Sequence, residues 1–196
     1  MKTINKISFL LIISALSISN AFTETNKDDI DKKSLSFMRE KFYAAVENED
    51  ELEKLDKYII RNFPDGANKY PPIIIAYKGG VEALKGKHAF WPFDKYSYLV
   101  SALDILEYAV SLSPEDLEIR FMRFSIVSHL PGILGYNEEM YSDRDMLVKL
   151  LLKKDYSQLD ENIQKGIVQF MIDSDELTDV QLSMFSKNFN LAILDE

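Results

Sequence analysis

The chemistry available to this chain is limited first by what it lacks. Among 196 residues there are two histidines, His88 and His129, and no cysteine. Cysteine-based zinc sites and thiol catalysis are therefore excluded. The two imidazoles stand in neither an H-x3-H nor an H-E-x2-H spacing, so no metal site and no cofactor is expected. No G-x-S-x-G, S-x2-K or glycine-rich phosphate loop occurs, and Gly79-Gly80 falls inside a helical pattern. Acidic pairs such as Glu138-Glu139 and Asp143/Asp145 abound, but carboxylate chemistry needs two such groups placed in one cleft. No catalytic role is expected.

Three groups of residues remain that could recognise another molecule. The stretch His88-Ala89-Phe90-Trp91-Pro92-Phe93-Asp94 gathers one histidine, two phenylalanines and the only tryptophan. Exposed, these aromatics would anchor a ligand or peptide. Folded back, they would plug one end of a helix pair, and the plug is the expected state because a Phe-rich loop is costly to leave in water. Arg120 and Arg123, three residues apart, share a helix face. Their guanidinium forks would suit a carboxylate or another anion. The simpler expectation is a structural ion pair with Glu82, Asp104, Glu107 or Glu118, since a buried charge must be paired. The third group is the loop Pro131–Tyr136 (PGILGY), in which Gly132 and Gly135 suit positive-φ turns. His129, just before Pro131, reads as a cap on the C-terminal end of its helix. Candidate binding residues are thus His88, Phe90, Trp91, Phe93, Arg120, Arg123 and Tyr136.

The elements that position these residues read as helices throughout. Leu35, Met38, Phe42, Ala45 and Val46 form one apolar stripe, and Leu52, Leu55, Ile59 and Phe63 form the next, stopped by Pro64-Asp65-Gly66. Pro71-Pro72 opens a third helix to about residue 88, and its small residues Gly79, Gly80 and Ala83 would admit a close neighbour. A fourth runs over about 95–112, with the 88–94 stretch as a long insert before it. A fifth, capped by Ser113 with Pro114 at its first position, covers about 115–130 and is apolar nearly all round, as a central helix is. Ser142 and Asp145 resemble a capping box for a sixth. A seventh follows at about 160–173, and Thr178 caps the eighth. The expected fold is all-α, a single domain of stacked antiparallel helix hairpins.

Ala102, Leu106, Ala109 and Pro114 fall at the spacing A-x3-L-x2-A-x4-P, which resembles the second helix and turn of a tetratricopeptide-type hairpin. With Tyr77–Phe93, Ser113–Ile126 and Leu130–Tyr136, the stretch Lys87–Tyr136 also resembles a family of small exported bacterial proteins of tetratricopeptide-like fold. That resemblance implies fold and export, and no reaction.

Lys2 and Lys6, the apolar run Ile7–Ile18 and Ser19-Asn20-Ala21 have the order of a cleaved export signal. The apolar run is too short for a spanning helix, which needs about 20 residues. The expected organisation is a signal over 1–21, a polar leader over 22–33 and a helical domain over 34–196, in a periplasmic or secreted protein without membrane insertion after cleavage. Loss of Lys2 and Lys6 moves the formal charge from −9 to −11. A chain this acidic repels nucleic acid and anionic lipid. The function expected is an interaction module for a protein, peptide or envelope component. The alternative is a small-ligand protein or enzyme with a pocket formed by His88, Trp91, Arg120, Arg123 and His129.

Overall fold

Helix follows helix along the chain, joined by short connections. The computed structural model describes residues 32–64 and 70–189. The expected export signal, residues 22–31 of the leader and Asp65-Gly66 lie outside the described residues. Among the described residues there are eight α-helices and no strand. They are α1 (Lys32–Ala45), α2 (Glu49–Asn62), α3 (Pro72–His88), α4 (Pro92–Leu112), α5 (Leu117–Val127), α6 (Asn137–Leu151), α7 (Glu161–Asp173) and α8 (Asp179–Phe189). The all-α class is the one expected. The chain divides into two units within α5, between Arg123 and Phe124.

In the first unit, residue pairings give the helix directions. Across α3 and α4, Gly79 faces Ala102 and Leu106, and Gly86 faces Lys95 and Tyr98, so the numbers run in opposite senses and the pair is antiparallel. Across α1 and α2, Lys41 meets Glu51 and Phe37 meets Tyr58, again antiparallel. Across α1 and α3, Phe42 meets Gly80 and Ala45 meets His88, so these two run parallel. The core between them holds Met38, Leu55, Ile74, Ile75, Tyr77, Ala102, Leu106 and Ala109.

The glycines of α3 explain how close the approach is. A Cβ on Gly79 would lie 2.8 Å from Leu106 Cγ and 3.1 Å from the Ala102 carbonyl oxygen. A Cβ on Gly80 would lie 2.6 Å from the Phe42 ring. Interior glycine costs about 1 kcal/mol against alanine. Here the missing methyl groups admit α4 on one side and α1 on the other, as the small residues led us to expect.

Two caps differ from expectation. Asp116, and not Ser113, caps α5 by accepting from the Ile119 N–H at 3.0 Å. Ser113 instead ends α4, its N–H donating to the Ala109 carbonyl. The sixth helix begins at Asn137, so Ser142 lies inside it. The reciprocal box occurs at Thr178 and Gln181, where the Gln181 N–H donates to Thr178 Oγ1 and the Thr178 N–H to Gln181 Oε1.

In the second unit, Asp160 caps α7 through the Asn162 and Ile163 N–H groups, and α6, α7 and α8 bury Leu147, Leu151, Ile167, Met171 and Phe185. Gly135 has φ 84°, as its loop required, while Gly132 opens a short 3-10 turn over Gly132–Leu134.

Candidate functional site: the aromatic turn between α3 and α4

Helix α3 runs to His88 and α4 starts at Pro92. The long insert expected between them is therefore a tight turn, Ala89-Phe90-Trp91. Proline at the first helical position fixes φ at a helical value, and Asp94 adds an acidic group to the first turn. Helix initiation thus reaches back into the aromatic stretch.

The plug expected from this stretch does not form. Phe90 is 83%, Trp91 64%, Phe93 88% and Tyr96 58% exposed. The reason lies at Gly86, where a Cβ would meet Tyr98 Cβ at 3.1 Å and the Lys95 carbonyl at 3.3 Å. The two helices already touch at the mouth of the hairpin, and no gap is left there for a ring. Phe90 and Trp91 instead pack on each other edge to face, with centroids 5.2 Å apart.

The polar residues around the turn are fastened to the end of α1, to the α1–α2 connection and to α3. His88 Nε2 lies 2.9 Å from the Ala45 carbonyl oxygen. Lys87 Nζ donates to Glu47 Oε1 at 2.7 Å and to the Val46 carbonyl. Lys95 Nζ donates to the Lys87 carbonyl at 3.1 Å. The result is a firmly based projection whose outer residues are aromatic. Tyr96 belongs to it although the sequence reading did not name it. Its signal was position, four residues after Pro92 and one helical turn from Phe93.

The remaining candidates stand elsewhere. Arg123 pairs with Glu107, one of the partners expected for it. Arg120 is buried, and its Nε donates to the Pro114 carbonyl at 2.7 Å. Glu107 is 15 residues beyond Pro92 on α4, about 22 Å along the axis. Both arginines are thus tied toward the opposite end of α4 from Trp91, and the pocket that would join them to His88 and Trp91 is not assembled. His129 and Tyr136 belong to the second unit. His129 Nδ1 lies 3.1 Å from the Ser125 carbonyl at the C-terminal end of α5, the capping position expected. Tyr136 directly precedes α6.

A partly buried polar clasp in the first unit is not legible in the sequence. Arg39 of α1 grips Glu118 through both carboxylate oxygens, at 2.8 Å from Nε and 2.6 Å from a terminal nitrogen. Tyr77 of α3, 1% exposed, donates its hydroxyl to Glu118 Oε1 at 2.8 Å. Burial, reinforced by the Glu118 charge and hydrogen bond, pushes the Tyr77 hydroxyl well above the usual tyrosine range. Burial acts to lower the Arg39 pKa, but Glu118 outweighs it and holds the guanidinium above its ordinary value. Burial likewise raises the neighbouring Asp116 carboxyl, opposed by the Ile119 N–H. The clasp ties α1 and α3 to the start of α5 and has the geometry of a structural tie.

Among the described residues, no group of three or more His, Asp or Glu could hold a metal ion. No protein-family model, curated protein or solved structure matches the chain.

Proposed function

We propose that this protein is an exported, non-catalytic interaction module of tetratricopeptide-like type, and that the α3–α4 turn is its contact point with a protein, peptide or other envelope component. The observation that carries the reading is the exposure of Phe90, Trp91, Phe93 and Tyr96 within seven residues of one firmly based turn. Large aromatic rings left in water are unfavourable by about 25 cal/mol per Å² of apolar surface, and burial against a partner recovers that cost. The repeat-like character draws support from α1 and α3, which run parallel as the first helices of successive hairpins. A stack built by repeating one unit keeps equivalent helices in that relation.

The test is co-sedimentation of the purified chain with envelope material, comparing wild type with a Phe90→Ser/Trp91→Ser/Phe93→Ser variant of unchanged helicity. Retention of the wild type and loss of the variant is the expected result. Equal retention of both would remove the aromatic turn from the contact.

A further inference from the structure

The shape of the turn narrows the class of partner. Residues 90–97 are exposed without interruption, through the turn and the first two turns of α4. A helix lying in a protein groove shows one apolar face and one polar face. Here α3 covers one side of the helix start, at the Lys95 carbonyl and Tyr98, and the rest of its circumference is exposed, so what covers it must wrap that remainder. A fluid apolar boundary can do so; a rigid pocket would have to be cut to fit.

The residue types and their levels agree with such a boundary. Phe90, Trp91 and Phe93 form the apex, and Tyr96 follows one turn behind. Trp and Tyr are the side chains that settle where hydrocarbon meets water, and Phe contributes apolar depth. Lys95 lies three residues behind Pro92, about 5 Å further along the helix axis, and Lys87 stands beside it through its carbonyl. That separation matches the depth of about 5–10 Å to which interfacial elements bury their apolar side. Charge also discriminates. Lys87 pairs with Glu47, and Asp94 and Lys95 are of opposite sign, so the formal charges of the tip cancel, while the whole chain carries −9. A neutral tip on an acidic body favours zwitterionic over anionic lipid. No described helix is long and apolar enough to cross a membrane.

We propose that the α3–α4 turn docks on a lipid–water interface, with Phe90, Trp91 and Phe93 at the acyl boundary and Tyr96 and Lys95 at the level of the headgroups of zwitterionic lipid. This rests on the reading of the turn as the contact point and specifies its partner. Trp91 is the only tryptophan, so its fluorescence reports on this site alone.

The experiment uses the full chain with phosphatidylcholine vesicles, and with vesicles of the same lipid brominated in its acyl chains. The comparison protein is a Phe90→Ser/Phe93→Ser variant, which keeps Trp91 as the probe and is checked for unchanged helicity and melting. Trp91 emission is expected to move to shorter wavelength on vesicle addition and to be quenched by the brominated lipid. The variant is expected to bind on the order of ten-fold more weakly. Wild-type emission that stays unchanged at saturating lipid overturns the proposal, even if the chain sediments with the vesicles through its N-terminal apolar run. So does emission that shifts with protein concentration in the absence of lipid, which would show a second copy covering the turn. If vesicles have no effect but Trp91-dependent retention on envelope material persists, the lipid assignment falls and the interaction reading stands. If retention on envelope material also fails, both fall.

Discussion

The hydroxyl of Tyr77 donates to Oε1 of Glu118 at 2.8 Å, across 41 residues of chain. Because the ring is buried, the bond holds a neutral phenol beside a carboxylate, and ionising that phenol would place two negative charges together.

Alkaline stability follows from this pair. The folded-state pKa of Tyr77 is raised above the ordinary value of 10.0. A raised pKa gives stability that is fully present below the unfolded value and is lost as pH rises through the folded one. Denaturant midpoints should therefore fall above pH 10, and Tyr77→Phe should flatten that fall. At neutral pH the same substitution removes one hydrogen bond, at a cost of about 1 kcal/mol. An alkaline limb identical in wild type and variant would show that another group titrates there.

The bidentate pair of Arg39 and Glu118 is partly buried, with side chains 22% and 14% exposed. A double-mutant cycle with Arg39→Ala and Glu118→Ala, read by chemical denaturation, should give a coupling of about 1.5–3 kcal/mol, the scale of a hydrogen-bonded charged pair. Additive single effects would mean that the two groups do not act together.

Asp116 separates capping from charge. Its carboxyl is raised from the ordinary 3.8 by burial, while its oxygen caps α5. Asp116→Asn keeps a capping oxygen and removes the buried charge, so at pH 7 it should be neutral or stabilising. Asp116→Ala should lose about 1 kcal/mol. Since the folded state favours the protonated acid, lowering the pH from 7 toward 4 should stabilise wild type relative to Asp116→Asn. Denaturant titrations of the three proteins at several pH values measure both effects.

Gly79→Ala sets helix propensity against packing. Alanine gains about 1 kcal/mol in a helix interior. The added Cβ would fall 2.8 Å from Leu106 Cγ and 3.1 Å from a backbone oxygen of α4, and overpacking costs about 1–3 kcal/mol. We expect a lower melting temperature. A rise would mean that α3 and α4 separate without penalty.

What could be read from the sequence followed the locality of each signal. Apolar period and Pro placement located eight helices, because both act within a few residues of one another. Gly79 and Gly80 announced a close approach, although not that they face different neighbours. The length of the 88–94 insert was misjudged because its aromatic content weighed more than Pro92, which starts the helix. The plug was misjudged because the cost of exposed rings is legible in sequence, whereas the room to bury them depends on Gly86 meeting Tyr98 across two helices. The clasp was invisible for a similar reason. Glu118 stood among the possible partners of Arg120 and Arg123, and only tertiary packing gives it to Arg39, 79 residues away.

The two adjacent glycines of α3 also bear on the order in which the chain folds. The nearest neighbours of Gly79 lie on the next helix, across a three-residue turn, while Phe42, which covers Gly80, comes from two helices earlier. Short loops close before long ones. The α3–α4 hairpin is therefore the natural nucleus, with α1 docking later. On that scheme Gly79→Ala slows refolding, whereas Gly80→Ala chiefly speeds unfolding, and one residue of spacing on a single helix separates an early event from a late one.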